Sequence, residues 1–73
     1  MAFEVSQIGE LAGVVWRTLE SRGTLNLEEL QNESGLDLVE VVAGIGWLAL
    51  EGKISFSKEN GVTSVRLYQE RYY

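Results

Sequence analysis

The hydrophobic positions in the first third of the chain recur with a helical period. From Ser6 to Ser21 the apolar residues follow one another at steps that place them on one face of a helix. Ser6 is the expected N-cap, and Gly23 is the expected residue after the last turn. The pattern predicts a first helix whose buried face holds Ile8, Leu11, Ala12, Val15, Trp16 and Leu19.

Two shorter helical segments follow in the middle of the chain. Asn26 precedes Glu29 by three positions, and Asp37 precedes Glu40 by three positions. An Asn or Asp followed at this spacing by Glu is typical of a capping box, in which each residue satisfies a backbone N–H of the other. The second helix is predicted from Leu27 to about Glu33, and the third follows the N-cap Asp37 and runs to about Glu51.

After the third helix the hydrophobic period changes from that of a helix to that of a strand. Ile54 and Phe56 alternate with serines, and Asn60-Gly61 is a strong signal for a two-residue type I′ turn. Pairing across this turn sets Ile54 opposite Leu67 and Phe56 opposite Val65, with all four on one face. The turn and the apolar pattern thus predict the same hairpin register.

The order of these elements predicts a fold class. Helix, short extended link at residues 24–26, helix, turn, helix and hairpin make an α+β winged helix-turn-helix, with the hairpin as the wing. The sheet has two strands, or three if the link pairs with the wing, and the sequence leaves this open. The prediction is a single domain over residues 1–73 with an ordered core from about 6 to 67.

A further set of residues, spread over nearly the whole chain, carries a resemblance. It consists of Ile8-Gly9, Ala12-Gly13, Trp16, Leu19, Gly23, Ile45-Gly46-Trp47-Leu48-Ala49 and Glu51-Gly52-Lys53-Ile54. This set resembles a family of small prokaryotic winged helix-turn-helix proteins of unknown function. The resemblance implies the same fold, and it implies no particular activity.

The composition argues against an enzyme. The chain has no Cys and no His, which removes thiolate nucleophiles, Ser-His dyads, histidine bases and zinc fingers. Glu28, Glu29 and Glu33 invite comparison with a cation site, but a solvated helix face is the simpler interpretation. The sequence predicts a non-enzymatic protein with no catalytic residue, no cofactor and no metal.

Charge and side-chain chemistry disfavour base reading by the third helix. The net charge is −5, and the segment from Leu25 to Glu51 holds six acidic residues and no base. DNA readers need Lys or Arg for phosphates and polar side chains for base edges. If Val41, Ile45 and Leu48 face the core, the opposite stripe offers one hydrogen-bond donor, the Trp47 indole N–H. This outer stripe consists of Val39, Val42, Ala43, Gly46, Trp47 and Leu50.

Three interpretations of the outer stripe remain open. In the first, the stripe is an interface, either with a second copy or with a different protein, and Trp47 is its anchor. In the second, the stripe is part of the core, with Trp47 folded back onto the first helix or the wing. In the third, the stripe reads DNA bases directly. The leading hypothesis is a non-enzymatic interaction module that forms a homodimer through this stripe, because the small residues Ala43, Gly44 and Gly46 let a second helix approach closely.

The wing supports an alternative function. Lys53, Lys58, Arg66 and Arg71 make it weakly basic, so a DNA-binding transcriptional regulator that contacts phosphates through the wing is the second hypothesis. Solubilising charge on exposed strands explains the same residues without any ligand, and Glu59 beside the turn favours that explanation.

The other notable residues have structural explanations. Trp16 belongs to the apolar face of the first helix, and close approach of another backbone would explain Gly9 and Gly13. Tyr68, Tyr72 and Tyr73 have side chains that can stack on bases or pack on a partner, but a tail that frays is the expected outcome. No segment is long and apolar enough to span a membrane, and the first residues do not form a secretory signal, so a cytoplasmic location is expected.

Overall fold

The computed structural model describes residues 4–68, and within them three helices precede a three-stranded antiparallel sheet. This confirms the predicted α+β winged helix-turn-helix. Arg71, Tyr72 and Tyr73 lie outside the described residues. Tyr68 was expected to fray with them, but its backbone N–H donates a hydrogen bond to the Lys53 carbonyl oxygen at 2.9 Å. The elements are α1 (Val5–Arg22), β1 (Leu25–Asn26), α2 (Leu27–Ser34), α3 (Leu38–Leu50), β2 (Ile54–Glu59) and β3 (Val62–Leu67).

The two inner helices begin at the predicted capping boxes. Asn26 accepts a hydrogen bond from the Glu29 N–H at 2.8 Å, and the Glu29 carboxylate accepts one from the Asn26 N–H at 2.9 Å. Asp37 and Glu40 repeat the arrangement at 2.8 and 3.0 Å. Between them Gly35 ends α2 in the left-handed conformation, with φ of 77°, which turns the chain toward α3.

The start of α1 differs from the prediction. The N-cap is Glu4 rather than Ser6, and the helix begins at Val5. The Gln7 side chain accepts a hydrogen bond from the Glu4 N–H at 2.7 Å, as the third-position residue of a capping box does. Gln7 can complete a capping box with the residue three positions before it, which is Glu4. The residue three positions after Ser6 is Gly9, which has no side chain to complete a capping box.

The hairpin has the predicted register. Ile54 pairs with Leu67 and Phe56 pairs with Val65, and Asn60 and Gly61 both have positive φ, as a type I′ turn requires. The link Leu25–Asn26 pairs with β3, so the sheet has three strands in the order β1-β3-β2. The question that the sequence left open is therefore answered.

The core lies between the inner faces of the helices and the sheet. Phe56 is 53% exposed, although it lies on the same face of the hairpin as the buried Ile54 and Val65. Phe56 lies on the edge strand β2, in which Ile54 is the only buried residue. The buried apolar residues are Ala12, Val15, Leu19, Leu25, Leu30, Val41, Ile45, Leu48, Ile54 and Val65.

One glycine allows α1 and α3 to pack closely, and it is not one of those expected. A Cβ on Gly44 would lie 2.9 Å from Val15 Cγ2 and 3.0 Å from the Leu11 carbonyl oxygen. At Gly9 and Gly13 the nearest such contacts are to side chains, at 3.9 and 3.4 Å. The explanation of Gly9 and Gly13 by a nearby backbone was therefore wrong, and Gly44 faces α1 of its own chain rather than a second one.

Candidate interaction surface on the outer face of α3

The outer stripe lies on the side of α3 opposite the core. The inner side buries Val41, Gly44, Ile45 and Leu48. Because successive helix residues are about 100° apart, the residues of the outer stripe lie on the opposite side of the helix. Leu50 is 85% exposed, Val39 56%, Val42 51% and Trp47 37%. The described chain thus presents a row of four large apolar side chains to solvent.

The middle of this row is built from small residues. Ala43 is half-buried and Gly46 is exposed. Within the described residues, no atom outside the helix backbone lies within 4 Å of the place where a Cβ on Gly46 would point. A glycine in a helix interior costs about 1 kcal/mol relative to alanine, and at Gly46 neither close packing nor a positive φ accounts for it.

Trp47 stands at the edge of the outer stripe, beside α1. Its Cζ2 atom is 3.9 Å from where a Cβ on Gly9 would lie, so the missing side chain of Gly9 leaves space for the indole ring. An open groove of about 520 Å³ runs between α1 and α3, with Gly13, Trp16 and Trp47 among its lining residues. Trp16 also packs against the buried core, as its place on α1 predicted.

The local sequence pattern does not predict two features of this surface. Leu38 is 48% exposed at the start of α3 and widens the apolar area next to Val42. The groove forms because α1 and α3 lie side by side, and the hydrophobic period of one helix does not predict which helix packs beside it. Gly9 and Gly13, which are unfavourable in a helix, were the available signal, but their explanation depends on which element packs against them.

The outer stripe contains no charged residue, whereas the groove beside Trp47 is lined in part by the charged side chains of Arg17 and Glu20. Within the described residues two ion pairs form, Arg22 with Glu33 at 3.3 Å and Lys53 with Glu51 at 3.4 Å, and their side chains are exposed. Exposed pairs of this kind contribute little stability. The second pair neutralises the carboxylate at the C-terminal end of α3, so the acidic character is concentrated at the N-terminal end. Among the described residues no group of three acidic side chains could hold a metal ion.

The wing presents its basic residues on both faces rather than one. Successive residues of a strand point to opposite sides, and Arg66 pairs with Ser55 while Lys58 pairs with Thr63. Lys58 therefore shares a face with Phe56, and Arg66 lies on the other face. Lys53 precedes the strand and is paired with Glu51. A phosphate strand lying along one face of the wing would meet one of the two hairpin bases at a time.

The fold and this surface define a winged helix-turn-helix protein with an apolar third helix. No helix of the part described is long and apolar enough to cross a membrane. The chain belongs to the winged helix-turn-helix domain family DUF2582, whose pattern it matches over residues 3–67. This confirms the family resemblance. No curated protein sequence matches the chain.

Two solved structures share the fold. Protein BT2368 from Bacteroides thetaiotaomicron is 26% identical, with a TM-score of 0.81 over 89% of this chain and 79% of its own. BpsR from Bordetella bronchiseptica, a protein whose DNA binding is regulated by 6-hydroxynicotinic acid, is 19% identical. Its TM-score is 0.76, and the match covers 90% of this chain and 52% of BpsR. At that identity the likeness to BpsR shows the fold alone.

Proposed function

We propose that this domain is a non-enzymatic interaction module that forms a homodimer through the outer stripe of α3. The observation that carries the proposal is the row of exposed apolar side chains at Val39, Val42, Trp47 and Leu50. Contiguous apolar surface with an aromatic anchor is typical of association sites. A chain of 73 residues with no Cys also lacks disulfides as a means of stabilisation, and association is a common substitute.

The same helix is poorly suited to the major groove. Base-edge readout needs side chains such as Arg, Lys, Asn and Gln, and the outer stripe has a single donor, the Trp47 indole N–H. The segment from Leu25 to Glu51 has no base to offset its six acidic residues. DNA phosphates would therefore be repelled where a recognition helix must approach them.

The mass in solution tests the proposal directly. We expect light scattering to give twice the chain mass of 8.2 kDa. Val42→Glu places a charge within the outer stripe and should give a folded monomer. Val62→Glu is the matched control, because Val62 is also 51% exposed but lies on the wing, and this variant should remain a dimer.

Each outcome has a definite meaning. Circular dichroism of the Val42→Glu variant checks that the fold is intact, and Val42 is preferred to Trp47 because the Trp47 ring is partly covered beside Gly9. A monomeric wild-type chain would overturn the homodimer and leave an adaptor for a different protein as the remaining use of the stripe. Loss of the dimer in Val62→Glu alone would move the interface to the wing.

DNA binding through the wing is the second candidate function. Two observations favour it: the fold is shared with BpsR, which binds DNA, and Lys58 and Arg66 are exposed. A homodimer would present two wings and so double the number of these bases. The acidic helices would then face away from the duplex.

The salt dependence of duplex binding tests this candidate. Fluorescence anisotropy should show an affinity that falls with salt, and the slope should become shallower by about one for each phosphate contact removed. The test variants are Lys58→Glu and Arg66→Glu, each made alone. Arg17→Glu, an exposed reversal on α1 that changes the net charge by the same amount, is the control that separates a wing contact from a change in total charge. Equal losses of affinity in the wing variants and in Arg17→Glu would contradict wing contacts.

A further inference from the structure

The outer stripe has a size pattern that fits a second copy of itself. Resting on the proposed homodimer, we propose that two copies of α3 pack antiparallel, with Ala43 and Gly46 at the centre of the contact. We call these two small residues the waist. Going along α3, the outer stripe runs from two large side chains, Val39 and Val42, through the waist to two large side chains, Trp47 and Leu50.

The size pattern matters more than the spacing. Any helical stripe with these steps is symmetric in position about its midpoint, so position alone favours no partner. Here the small residues are also at the middle and the large ones at both ends. A two-fold contact joins the same patch of both copies, so the patch must complement itself. If one residue contacts a second residue of the other copy, the reciprocal contact forms as well. A waist between two bulky ends satisfies this requirement.

Helix geometry gives the pairs that an antiparallel contact makes. When a two-fold axis relates two antiparallel helices, the same side of each helix lies at the contact and the two chains run in opposite directions. With about 100° and 1.5 Å per residue, Trp47 then lies over Ala43 of the second copy, and Val42 lies over Gly46 of the second copy. At each end Val39 meets Leu50 of the second copy. At the centre of the contact each large side chain packs on a small one, as in ridges-into-grooves packing.

The charges at the two ends of α3 favour the antiparallel direction. The N-terminal end carries Asp37 and Glu40, and the C-terminal end carries Glu51 paired with Lys53. A parallel contact would set the acidic ends side by side. The antiparallel contact sets each acidic end beside the neutralised one, near Lys53, and also opposes the two helix dipoles.

The open space outside Gly46 is the second observation that supports a close contact. Within the described residues, no atom beyond its own helix lies within 4 Å of where a Cβ would point. Gly44, two residues earlier, is explained by α1 of the same chain. A helix of a second copy at the waist would give Gly46 the corresponding explanation.

Cysteine cross-linking tests the direction, and the chain has no native Cys to interfere. We expect an equimolar mixture of Val39→Cys and Leu50→Cys proteins to form a covalent dimer with one copy of each under mild oxidation, as intact mass will show. Neither variant should cross-link with itself. In the antiparallel contact, residue 39 of one copy is displaced by about 16 Å along the helix from residue 39 of the other. A disulfide requires Cα atoms within about 7 Å.

Controls separate failure of the direction from failure of the dimer. Self-linking of Val39→Cys would establish a parallel contact, and a dimer by light scattering without any 39–50 link would overturn the pairing while leaving the proposed function intact. A monomer by light scattering defeats both. Val62→Cys mixed with Leu50→Cys should give no specific product, because Val62 lies on the wing.

Bulk at the waist gives an independent test. We expect Gly46→Gln to convert the dimer to a monomer with a melting temperature no lower than that of a Val42→Glu monomer, because the space outside Gly46 is open. Ser21→Gln adds the same side chain at an exposed position of α1 and should leave the dimer unchanged. A Gly46→Gln protein that still dimerises as tightly as the wild type would place the contact elsewhere.

Discussion

Gly44 and Gly46 are two residues apart on α3 and serve opposite surfaces. Gly44 faces α1, where a Cβ would lie 2.9 Å from Val15 Cγ2 and 3.0 Å from a backbone oxygen that cannot move aside easily. Gly46 faces outward into open space. The same residue type therefore has a packing role on the inner side of the helix and, under our proposal, an association role on the outer side.

We predict opposite effects on stability from the same substitution at these two glycines. Gly44→Ala should lower the free energy of unfolding by about 1–3 kcal/mol, the usual cost of overpacking. Gly46→Ala should raise it by about 1 kcal/mol through helix propensity. Urea unfolding measures both, in the Val42→Glu background so that self-association does not enter. Stabilisation by Gly44→Ala would mean that α1 and α3 lie further apart than a Cβ contact of 2.9 Å to Val15 Cγ2 implies.

At the scale of elements, the helix boundaries depend on a few local hydrogen bonds. The start of α3 depends on Asp37, whose side chain accepts the Glu40 N–H at 2.8 Å. This cap also positions the acidic end of α3 and thereby the first residues of the outer stripe. Its strength is therefore relevant both to folding and to the surface that we propose as the interface.

Removal of this cap has a predictable cost. Asp37→Ala should lower the free energy of unfolding by about 1 kcal/mol, because the Glu40 N–H loses its acceptor. Asp37→Ser keeps an oxygen at the same place and should recover most of the loss, which chemical denaturation will show. Equal destabilisation by Asp37→Ser and Asp37→Ala would mean that the negative charge of Asp37, rather than its hydrogen bond, stabilises the start of α3.

The elements that the sequence predicted well are those with local signals. The capping boxes at Asn26 and Asp37 and the turn at Asn60-Gly61 each involve residues within a few positions of one another, and all three are found in the structure. The pairing of β1 with β3 joins residues about forty positions apart, and no local pattern specifies it. The exposure of Phe56, on the edge strand β2, likewise depends on how the assembled elements cover the sheet and not on a local pattern.

The candidate site was predictable only to the extent that it lies on one helix. The period of α3 separates an inner face from an outer stripe, and the exposure of Val39, Val42 and Leu50 agrees with that division. The position of Trp47 beside Gly9 required the packing of α1 on α3, which periodicity does not contain. Which occupant covers the stripe is a property of two molecules, and it stays a prediction.

At the scale of the whole molecule, a small core and an apolar surface should be linked through stability. A domain of this length has a core worth about 3–5 kcal/mol, so a second copy that binds only the folded chain would contribute a large share of the total. We predict that the melting temperature of the wild-type protein rises with protein concentration. Each tenfold increase adds about 1.4 kcal/mol per mole of dimer by mass action.

Calorimetry over a concentration series measures this dependence, and the variants supply its controls. Val42→Glu should melt at one temperature at all concentrations, because its folded state is a monomer. Val62→Glu should retain the rise, since its charge lies on the wing. A wild-type melting temperature that stays constant from dilute to concentrated solution would show that burial of the outer stripe contributes nothing to folding. The exposed apolar residues of α3 would then serve a partner of different sequence.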